Sequence, residues 1–411
     1  MFAYLMEFNR YMNLVGIGAI IAIAWLCSNN KTKINYKTVS TALLLHIALA
    51  FFMLRTAVGV TVIGWIADIV GQLYRAAEGG IAFVFGGLAN SNSAWGFIFA
   101  FKVLPIIIFF GSFMSLLFHW GIVQRAVGGV SYVLQPLLGT SGAETLCAIA
   151  NSFLGQTEAP LLIRHYIKDM TKSEIMLVMV SGMGSISGAI LVVYAAIGVP
   201  TVHLLTASIM SIPATILIAK MLYPETETPK TMRGAAVETE KTTQNMLDAL
   251  SAGATDGLQL ALNVAAMLIA FIALIGLINS TLSFFCFQLG FTSCITLQSI
   301  FGIVFAPFGW LLGLQGAEAT AAGELIGTKV AVNEMVAYTM MVGMGLSARA
   351  VALLTYALCG FSNFSCIGIQ IGGIGALAPS KRAVLSELGF RAVLGGTLAN
   401  LLSAMVAGLL L

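Results

Sequence analysis

Two short polar stretches interrupt this apolar chain: Gly155-Gln156-Thr157-Glu158-Ala159 and Asn333-Glu334-Met335-Val336-Ala337-Tyr338. Each holds a carboxylate beside a side chain that carries an amide. A carboxylate at the centre of a membrane-spanning segment costs roughly 2.5 to 3.5 kcal/mol on insertion scales. We therefore expect Glu158 and Glu334 to face a polar cavity or a ligand rather than lipid, which makes them the first candidates for a transport site.

The composition places both stretches in an integral membrane protein. Hydrophobic residues make up 59% of the chain and charged residues only 9%, and the mean hydropathy is +0.95. Soluble and disordered chains both carry far more charge. The strands of a transmembrane barrel would alternate apolar and polar residues over about 10 positions, whereas this chain has continuous apolar blocks. The composition therefore predicts an all-α integral membrane protein that crosses the lipid bilayer several times.

The charges indicate orientation rather than a nucleic-acid partner. The net charge is +3, and no basic cluster is interleaved with aromatic residues, so no nucleic acid is expected as a partner. Lysine and arginine gather in four segments, which are residues 29–37, 164–172, 220–241 and 381–391. Placing all four on one side of the membrane satisfies the positive-inside rule and puts both termini outside.

Several segments have patterns that predict how the chain is organised. Polar residues recur in residues 58–77 at spacings that suit a helix lying along the membrane interface, and the third helix is expected at residues 95–119. The apolar run 175–219 is long enough for two crossings, divided near Pro200, since about 20 residues cross the hydrocarbon. Residues 223–244 are rich in Pro, Thr, Glu and Lys, which predicts a solvated linker between two halves.

The two halves repeat one another weakly. A Gly-Ala-Glu triplet ends at Glu144, 14 positions before Glu158, and a second triplet ends at Glu318, 16 positions before Glu334. Polar breaks in apolar helices follow both carboxylates, at residues 184–188 and 361–365. Repeats with interrupted hydrophobic segments point to the midplane binding site of a transporter.

The segments around the carboxylates have the wrong shape for simple crossings. Residues 144–163 and 317–338 are short, punctuated by glycine and polar at their centres. We expect both to be re-entrant hairpins. Non-helical backbone at membrane depth is tolerated only where protein or a watery cavity satisfies its N–H and C=O groups, so hairpin tips that meet broken helices would form a site.

The polar residues at these breaks indicate a neutral solute. No basic residue lies among them, and Lys329 is more than one helical turn from Glu334, whereas an anionic substrate would be expected to find an arginine or lysine. The amides of Gln156 and Asn363 both donate and accept, and Phe361 offers a flat apolar face to a ring. Sugars and nucleosides both fit this description, and the composition does not choose between them.

Three motifs together resemble the concentrative nucleoside transporter family: residues 155–161, residues 333–338 and residues 359–365. Their order and spacing are preserved from about Phe83 to the C-terminus. The resemblance implies a bacterial member with eight transmembrane helices plus two re-entrant helical hairpins and an interfacial helix, built from inverted repeats. It also implies an elevator-type homotrimer in which a mobile transport domain moves against a scaffold, in the inner (cytoplasmic) membrane.

The resemblance and the polar linker together divide the chain into five parts. These are 1–120 (N-terminal helices, interfacial helix and scaffold helix), 121–222 (first hairpin and following helices), 223–245 (polar cytoplasmic linker), 246–295 (scaffold helix) and 296–411 (second hairpin and following helices).

The resemblance also assigns the substrate contacts. On the nucleobase side it implies Gly155, Gln156, Thr157, Glu158 and Ile190. On the ribose side it implies Glu334, Phe361, Asn363 and Cys366. Similar proteins commonly carry serine where this chain has Cys366, and a thiol is a much weaker hydrogen-bond donor than a hydroxyl. One ribose contact is therefore expected to be altered.

Sodium is the coupling ion that the resemblance favours. Sodium-coupled members resemble this chain at Asn151, Leu154, Ser185 and Ile186, where two side-chain oxygens and two backbone carbonyls would surround the ion. Hard cations prefer such oxygen ligands. Proton-coupled relatives tend to lack the asparagine, so Asn151 favours sodium over the proton.

The predicted function is therefore symport of a nucleoside such as uridine with sodium, by alternating access. Proton-coupled nucleoside symport is the alternative within the same class. An intramembrane hydrolase would also bury carboxylates among glycines, but neither a nucleophile and base motif nor a set of metal ligands accompanies them. A channel is disfavoured because a pore would present rings of like groups.

Overall fold

A computed structural model describes residues 7–90, 93–232, 234–235, 243–288 and 295–411. Within these ranges the chain forms α-helices and short 3-10 helices, and no strand. The helices up to the linker are α1 (Phe8–Leu26), α2 (Tyr36–Arg55), α3 (Ala57–Phe85), α4 (Phe99–Lys102), α5 (Leu104–His119), α6 (Ile122–Leu138), α7 (Gly142–Ala150), α8 (Arg164–Ile167), α9 (Lys172–Met183), α10 (Gly188–Ala196) and α11 (Thr201–Leu222). Those after it are α12 (Met246–Gln288), α13 (Leu297–Leu311), α14 (Gly316–Ala331), α15 (Glu334–Gly343), α16 (Ala348–Leu358), α17 (Phe364–Leu377) and α18 (Arg382–Leu410). The predicted all-α class is confirmed.

The N-terminal helices begin where the sequence supplies caps. The Asn35 side chain accepts hydrogen bonds from the backbone N–H groups of Lys37 and Thr38 at the start of α2, and Thr56 accepts from Gly59 at the start of α3. These caps satisfy N–H groups that have no partner within the helix. Helix α1 packs against α18, and α2 packs against α11.

The third helix begins later than the sequence predicted. Residue 95 was the expected start, but the short α4 begins at Phe99 and α5 only at Leu104. Gly96 has a φ of +67°, which is incompatible with a right-handed helix at that residue. Pro105 lies in the first turn of α5. Proline lacks an N–H and is tolerated at the first turn of a helix but not in its interior, so Pro105 fixes the start of α5.

Helices α9, α10, α11 and α18 form the core. The share of buried residues differs over the most apolar 18 residues of each span. It is 89% for Lys172–Ala196, and 78% both for α11 and for the span Pro379–Leu410, which contains α18. The corresponding share is only 6% for α12 and 11% for Ala57–Ala89. The predicted division near Pro200 is confirmed, since α10 ends at Ala196 and α11 begins at Thr201, with Gly198 at a φ of +105° between them.

Helix α12 is the longest element and pairs closely with α5. With 43 residues it measures about 65 Å at 1.5 Å per residue, roughly twice the hydrocarbon thickness of a bilayer. A Cβ on Gly257 would lie 2.7 Å from the carbonyl oxygen of Ile107, and one on Gly111 would lie 2.6 Å from that of Gly253. Small residues at these positions therefore let the two backbones touch, as in membrane helix pairs generally.

The order of helices repeats. Before the linker the order is α5, α6, α7, the broken helix α9/α10 and α11. After the linker the order is α12, α13, α14/α15, the broken helix α16/α17 and α18. Helices α13 and α14 meet at a bend of 114°, and α14 packs against α15. Each half thus contains one helix of the α5/α12 pair, an interrupted hairpin segment and a helix that breaks near its middle.

The number of apolar spans equals the expected eight, but the helices that make up the eight differ from those expected. Eight described helical stretches are long and apolar enough to cross a membrane, and they include Ala57–Ala89, which contains the predicted interfacial segment 58–77. They do not include α16 or α17, which are shorter apolar helices and which the prediction joins into one broken crossing. Part of the expected linker, residues 233 and 236–242, lies outside the described residues.

Candidate functional site

The first hairpin segment has a capped start and an irregular tip. Ser141 and Glu144 form a capping box at the start of α7, and the helix ends at Ala150. The backbone N–H of Gly155 donates to the Glu158 carboxylate at 3.2 Å. Gln156 is buried, whereas Thr157 and Glu158 are exposed. The tip therefore presents one buried amide and one accessible carboxylate.

The second hairpin segment presents its carboxylate at a helix start. Asn333 caps α15 by accepting from the backbone N–H of Val336 at 2.9 Å. Glu334 is only 6% exposed, and both of its carboxylate oxygens are bound: Tyr194 Oη donates to Oε1 at 2.8 Å and Asn363 Nδ2 donates to Oε2 at 3.2 Å. Two side chains from broken helices thus fix the orientation of this carboxylate.

The first turn of α17 joins the two hairpin segments. Asn363 caps this helix, and its Oδ1 accepts from the backbone N–H of Cys366 at 3.1 Å and from Ser365 Oγ at 2.6 Å. Gln156 Nε2 lies 3.2 Å from Cys366 Sγ in hydrogen-bonding geometry. The contacts therefore run from Gln156 through Cys366 and Asn363 to Glu334. Side chains from both halves of the chain therefore meet at this turn of α17.

Gln370 supports Gln156 from behind. Its Nε2 donates to Gln156 Oε1 at 3.0 Å and to the carbonyl of Met179 at 3.1 Å, while Gln370 itself is fully buried. A Cβ on Gly182 would lie 2.8 Å from Gln370 Nε2 and 2.9 Å from Gln156 Cβ. The absence of a side chain at Gly182 therefore makes room for the glutamine pair against α9.

The two broken helices cross at their breaks. The backbone N–H of Phe361, which is half-buried, donates to the carbonyl of Ser185 at 3.3 Å. Asn400 on α18 donates through Nδ2 to the carbonyls of Gly184 and Cys359, both at 2.8 Å. Carbonyl groups freed by unwinding are costly in an apolar interior unless they find donors. Asn400 supplies a donor to both breaks at once.

Two of the predicted ion ligands, Asn151 and Ser185, contact the same residue, Ser181. Asn151 Nδ2 donates to Ser181 Oγ at 2.9 Å, and Ser185 Oγ donates to the carbonyl of Ser181 at 2.7 Å. Leu154 and Ile186 are each 1% exposed. Asn151 Oδ1 is buried and has no hydrogen-bond partner among the described residues. A buried oxygen without a partner suits a cation. The predicted ligands all offer oxygen atoms, which are the ligands that sodium prefers.

Ile190 and the break before α10 are tied to the first hairpin. The N–H of Ile190 donates to Ser187 Oγ at 3.4 Å, and Ile190 is 5% exposed. The N–H of Gly188 donates to the carbonyl of Phe153 at 3.0 Å. The hairpin tip and the start of α10 are therefore fixed relative to each other.

The two outer glutamates stabilise helix ends. Glu144 Oε1 accepts from the N–H of Ser141, and its Oε2 lies 2.6 Å from Lys220 Nζ in a buried ion pair. Glu318 accepts from the N–H of Ser347, at the start of α16, at 2.9 Å. Glu144 therefore stabilises the start of the hairpin helix α7, and Glu318 stabilises the start of the broken helix α16.

Four residues that support the site were not predicted from the sequence: Tyr194, Lys329, Gln370 and Asn400. Tyr194 orients Glu334, and Gln370 orients Gln156. Lys329 is 0% exposed and donates to the Ala357 carbonyl at 2.9 Å and to Asn400 Oδ1 at 2.7 Å. A signal existed for Gln370, Asn400 and Lys329, since polar residues inside apolar helices are costly and usually functional. Tyr194 gave no such signal, because tyrosine is common in apolar helices.

Comparison with known proteins identifies the class. A multi-pass helical membrane protein with two interrupted hairpin segments, two crossing broken helices and a polar centre has the organisation of a secondary transporter. Family models described as "Na+ dependent nucleoside transporter" match residues 15–88 for the N-terminus and 203–408 for the C-terminus, and one described as "Nucleoside recognition" matches residues 100–201. The chain belongs to the Na+ dependent nucleoside transporter family.

Relatives support this membership along the whole chain. An uncharacterized transporter of Haemophilus influenzae is 47% identical over 97% of each chain, and the nucleoside permease NupC of Helicobacter pylori is 39% identical over 98% of each. The solved structure of CNTnw in an inward-facing substrate-bound state is 39% identical, with a TM-score of 0.92 over 98% of this chain and 100% of that one. A variant of CNTnw in an outward-facing state gives a TM-score of 0.91 at 38% identity, over 97% of each chain.

The predicted resemblance is thus confirmed, and the protein is a membrane transporter rather than an enzyme. The intramembrane hydrolase, which the sequence left as an alternative, is wrong. Substrate, ion and mechanism are taken up below.

Proposed function

We propose that this protein carries a nucleoside such as uridine into the cell together with sodium, by an elevator form of alternating access. The observation that carries the proposal is the series of contacts from Gln156 through Cys366 and Asn363 to Glu334. It joins the two hairpin segments at a turn of α17, where one small solute would touch both halves. The family membership supports the substrate class.

The side chains at this place suit a nucleoside. Gln156 has both donor and acceptor capacity for the edge of a base, and the exposed Thr157 and Glu158 add a hydroxyl and a carboxylate. On the other side, Glu334 and Asn363 are held in place to accept from and donate to ribose hydroxyls. Gly155, Ile190, Phe361 and Cys366 complete the proposed substrate contacts.

Sodium is the proposed coupling ion. The family models describe Na+ dependent transporters, and the unpaired buried Oδ1 of Asn151 supplies an oxygen for a cation. Ser185 Oγ and the carbonyls of Leu154 and Ile186 are the other proposed ligands. Proton coupling is the second candidate, but it leaves Asn151 Oδ1 without a role.

Coupling follows from the position of the proposed ion. A cation between Asn151 and Ser185 would bind the first hairpin tip to the α9/α10 break, and the same hairpin carries Gln156 and Glu158 two to four positions beyond the proposed ligand Leu154. The ion would therefore organise the substrate side chains. By linkage, the substrate raises the affinity for sodium by the same factor as sodium raises the affinity for substrate.

The moving part is proposed to be the two hairpin segments with the broken helices, which slide against a scaffold that includes α5 and α12. Relatives solved in inward-facing and outward-facing states support alternating access. Helix α12 has the highest hydropathy of the spans, 2.6, with only 6% of its most apolar window buried. This apolar surface fits a homotrimer in the bilayer. The proposed membrane is the bacterial inner membrane, in line with the bacterial relatives.

Uptake into proteoliposomes tests the proposal. Purified protein is reconstituted and offered a panel of labelled nucleosides and sugars, with an inward sodium gradient or an inward proton gradient imposed separately. Saturable uridine uptake driven by sodium alone is the expected result. Uptake driven only by protons would replace the sodium part, and uptake of sugars without nucleosides would overturn the substrate class.

A further inference from the structure

The amide of Gln156 is oriented by a buried neighbour, Gln370. Gln156 is 7% exposed at the tip of the first hairpin, and Gln370 is 0% exposed. An amide accepts through its oxygen and donates through its nitrogen, so its two ends recognise opposite groups on a solute. Which end faces the solute is decided by the hydrogen-bonding groups that surround the amide.

The carbonyl of Met179 fixes the amide of Gln370. Gln370 Nε2 lies 3.1 Å from that carbonyl oxygen and 3.0 Å from Gln156 Oε1. A carbonyl oxygen accepts hydrogen bonds and donates none, so Gln370 must direct its NH2 group toward Met179. The two hydrogens of this group account for both contacts. Gln156 therefore has to face Gln370 with its oxygen, because turning it round would set two NH2 groups against each other.

Gln370 acts from a helix face that is packed against the hairpin tip. Cys366, Gln370 and Gly373 follow one another on α17 at spacings of four and three residues, so they share one face of this helix. Cys366 and Gln370 both contact Gln156, and a Cβ on Gly373 would lie 2.8 Å from Thr157 Cγ2. The amide of Gln156 is therefore oriented by a regular helix rather than by a loop.

The nitrogen of Gln156 is the end that remains for a solute. Its Oε1 is engaged by Gln370. One of its two N–H groups is directed to Cys366 Sγ, 3.2 Å away, which leaves the other. We propose that Gln370 is a positioning residue for substrate choice, which holds Gln156 so that Gln156 donates to the base edge of a nucleoside and does not accept from it. The inference rests on the proposed function and narrows it, because the site then selects a base by an acceptor atom.

Uridine and cytidine are opposites on the edge that such a donor would meet. Position 4 of the base carries a carbonyl acceptor in uridine and an amino donor in cytidine, and position 3 is an N–H donor in uridine and an acceptor in cytidine. A fixed donor that contacts position 4 favours uridine, and one that contacts position 3 favours cytidine. We expect the unaltered protein to prefer one of the two by about threefold to tenfold in KM, the range of one neutral hydrogen bond.

Gln370→Glu should reverse that preference. The new side chain keeps the shape of the old one, but it has at most one proton, which the Met179 carbonyl requires. It can then only accept from Gln156, so Gln156 turns its NH2 group toward position 370 and offers its oxygen to the base. The ratio of the KM values for uridine and cytidine, from initial uptake into proteoliposomes, should change by roughly tenfold or more.

Gln370→Met covers the case in which a buried acid prevents folding. Its side chain has a similar size and no donor, so the Gln156 amide is free to turn. Both nucleosides should still be carried, and the preference should fall to about twofold or less. Size-exclusion chromatography checks the assembly of both variants. An original KM ratio in assembled protein of either variant would overturn the proposal, and so would equal KM values in the unaltered protein.

Gln124→Glu is the matched control. Gln124 is a buried glutamine on α6 that also donates to a backbone carbonyl, that of Phe118, at 3.1 Å, and it is not among the proposed substrate contacts. Its substitution should leave the ratio unchanged, and a shift as large as that of Gln370→Glu would overturn the proposal. If the unaltered protein carried no nucleoside at all, the proposed function itself would be wrong, together with the inference that rests on it.

Discussion

Asn363 Nδ2 donates a hydrogen bond of 3.2 Å to Glu334 Oε2, and the same side chain accepts the N–H of Cys366 through Oδ1. One amide therefore caps α17 and holds the carboxylate of the second hairpin. Residues 29 positions apart in sequence (363 minus 334) meet because α15 begins and α16 breaks at the same place. A change to either residue should disturb substrate contacts more than it disturbs the fold.

Glu334→Gln and Asn363→Ala should each reduce uridine uptake in vesicles about 100-fold or more. In the first variant a ribose hydroxyl loses a charged acceptor, and in the second it loses an oriented partner. Assembly, checked by size-exclusion chromatography, should survive. Asn279→Ala is the matched control, since within the described part of the chain that amide bonds to Gln298 and Leu297, between α12 and α13, and its uptake should stay near the original. Uptake at the original rate in both site variants would contradict the proposed site.

Tyr194→Phe should raise the KM for uridine roughly tenfold with normal folding. The variant loses the 2.8 Å hydrogen bond to Glu334 but keeps the ring contact with Tyr338, whose centroid lies 4.5 Å away. Hydrogen bonds to charged groups contribute about 1.5 to 3 kcal/mol. Tyr338→Phe, which loses the bond to the Thr355 carbonyl and no hydrogen bond to Glu334 among the described residues, serves as the control. Equal KM values for the two variants would refute a special role for Tyr194.

Asn151→Ala should raise the sodium concentration needed for half-maximal uptake at least several-fold, because a proposed oxygen ligand disappears. Uptake at saturating sodium should recover in part. Ser403→Ala removes a buried hydroxyl whose recorded bond lies within its own helix, to the Ala399 carbonyl, and should leave the sodium dependence unchanged. An Asn151→Ala protein with unaltered sodium dependence would exclude this residue as a ligand.

Cys366→Ser should lower the KM for uridine about threefold to tenfold. The hydroxyl can still accept from Gln156, as the thiol does at 3.2 Å, and it donates more strongly to ribose. A neutral hydrogen bond contributes about 0.5 to 1.5 kcal/mol net. The measurement is initial uptake against uridine concentration, with 2′-deoxy and 3′-deoxy analogues to locate the contacted hydroxyl. No change for any analogue would remove Cys366 from the ribose site.

Glu144→Gln should destabilise the protein without altering the KM for uridine. The substitution removes the carboxylate that lies 2.6 Å from the buried Lys220 ammonium, which keeps Ser173 Oγ at 3.0 Å and the Glu225 carboxylate at 4.0 Å. Breaking a buried ion pair from one side costs about 3 to 5 kcal/mol. Thermal unfolding in detergent should show the loss, and the added Lys220→Met substitution should recover part of it. A large rise in KM would mean that Glu144 acts on the substrate directly.

The sequence by itself determined the class and the principal motifs. Continuous apolar runs fixed a helical membrane protein, because backbone polar groups in lipid must be satisfied within the segment. The cost of buried charge singled out Glu158 and Glu334, and the spacing of glycines and breaks indicated a repeated hairpin architecture. The family followed from the three motifs, and the comparisons confirmed it.

Only the tertiary structure decided which side chains support the site. Tyr194 reaches Glu334 and Asn400 reaches Gly184 across 140 and 216 positions, and no local pattern encodes such pairs. Lys329 appeared too distant in sequence to matter, yet the folded chain brings its ammonium to the break of α16. The physical reason is that an unwound helix exposes carbonyls whose donors come from whichever helix packs beside it, and packing is a property of the whole fold.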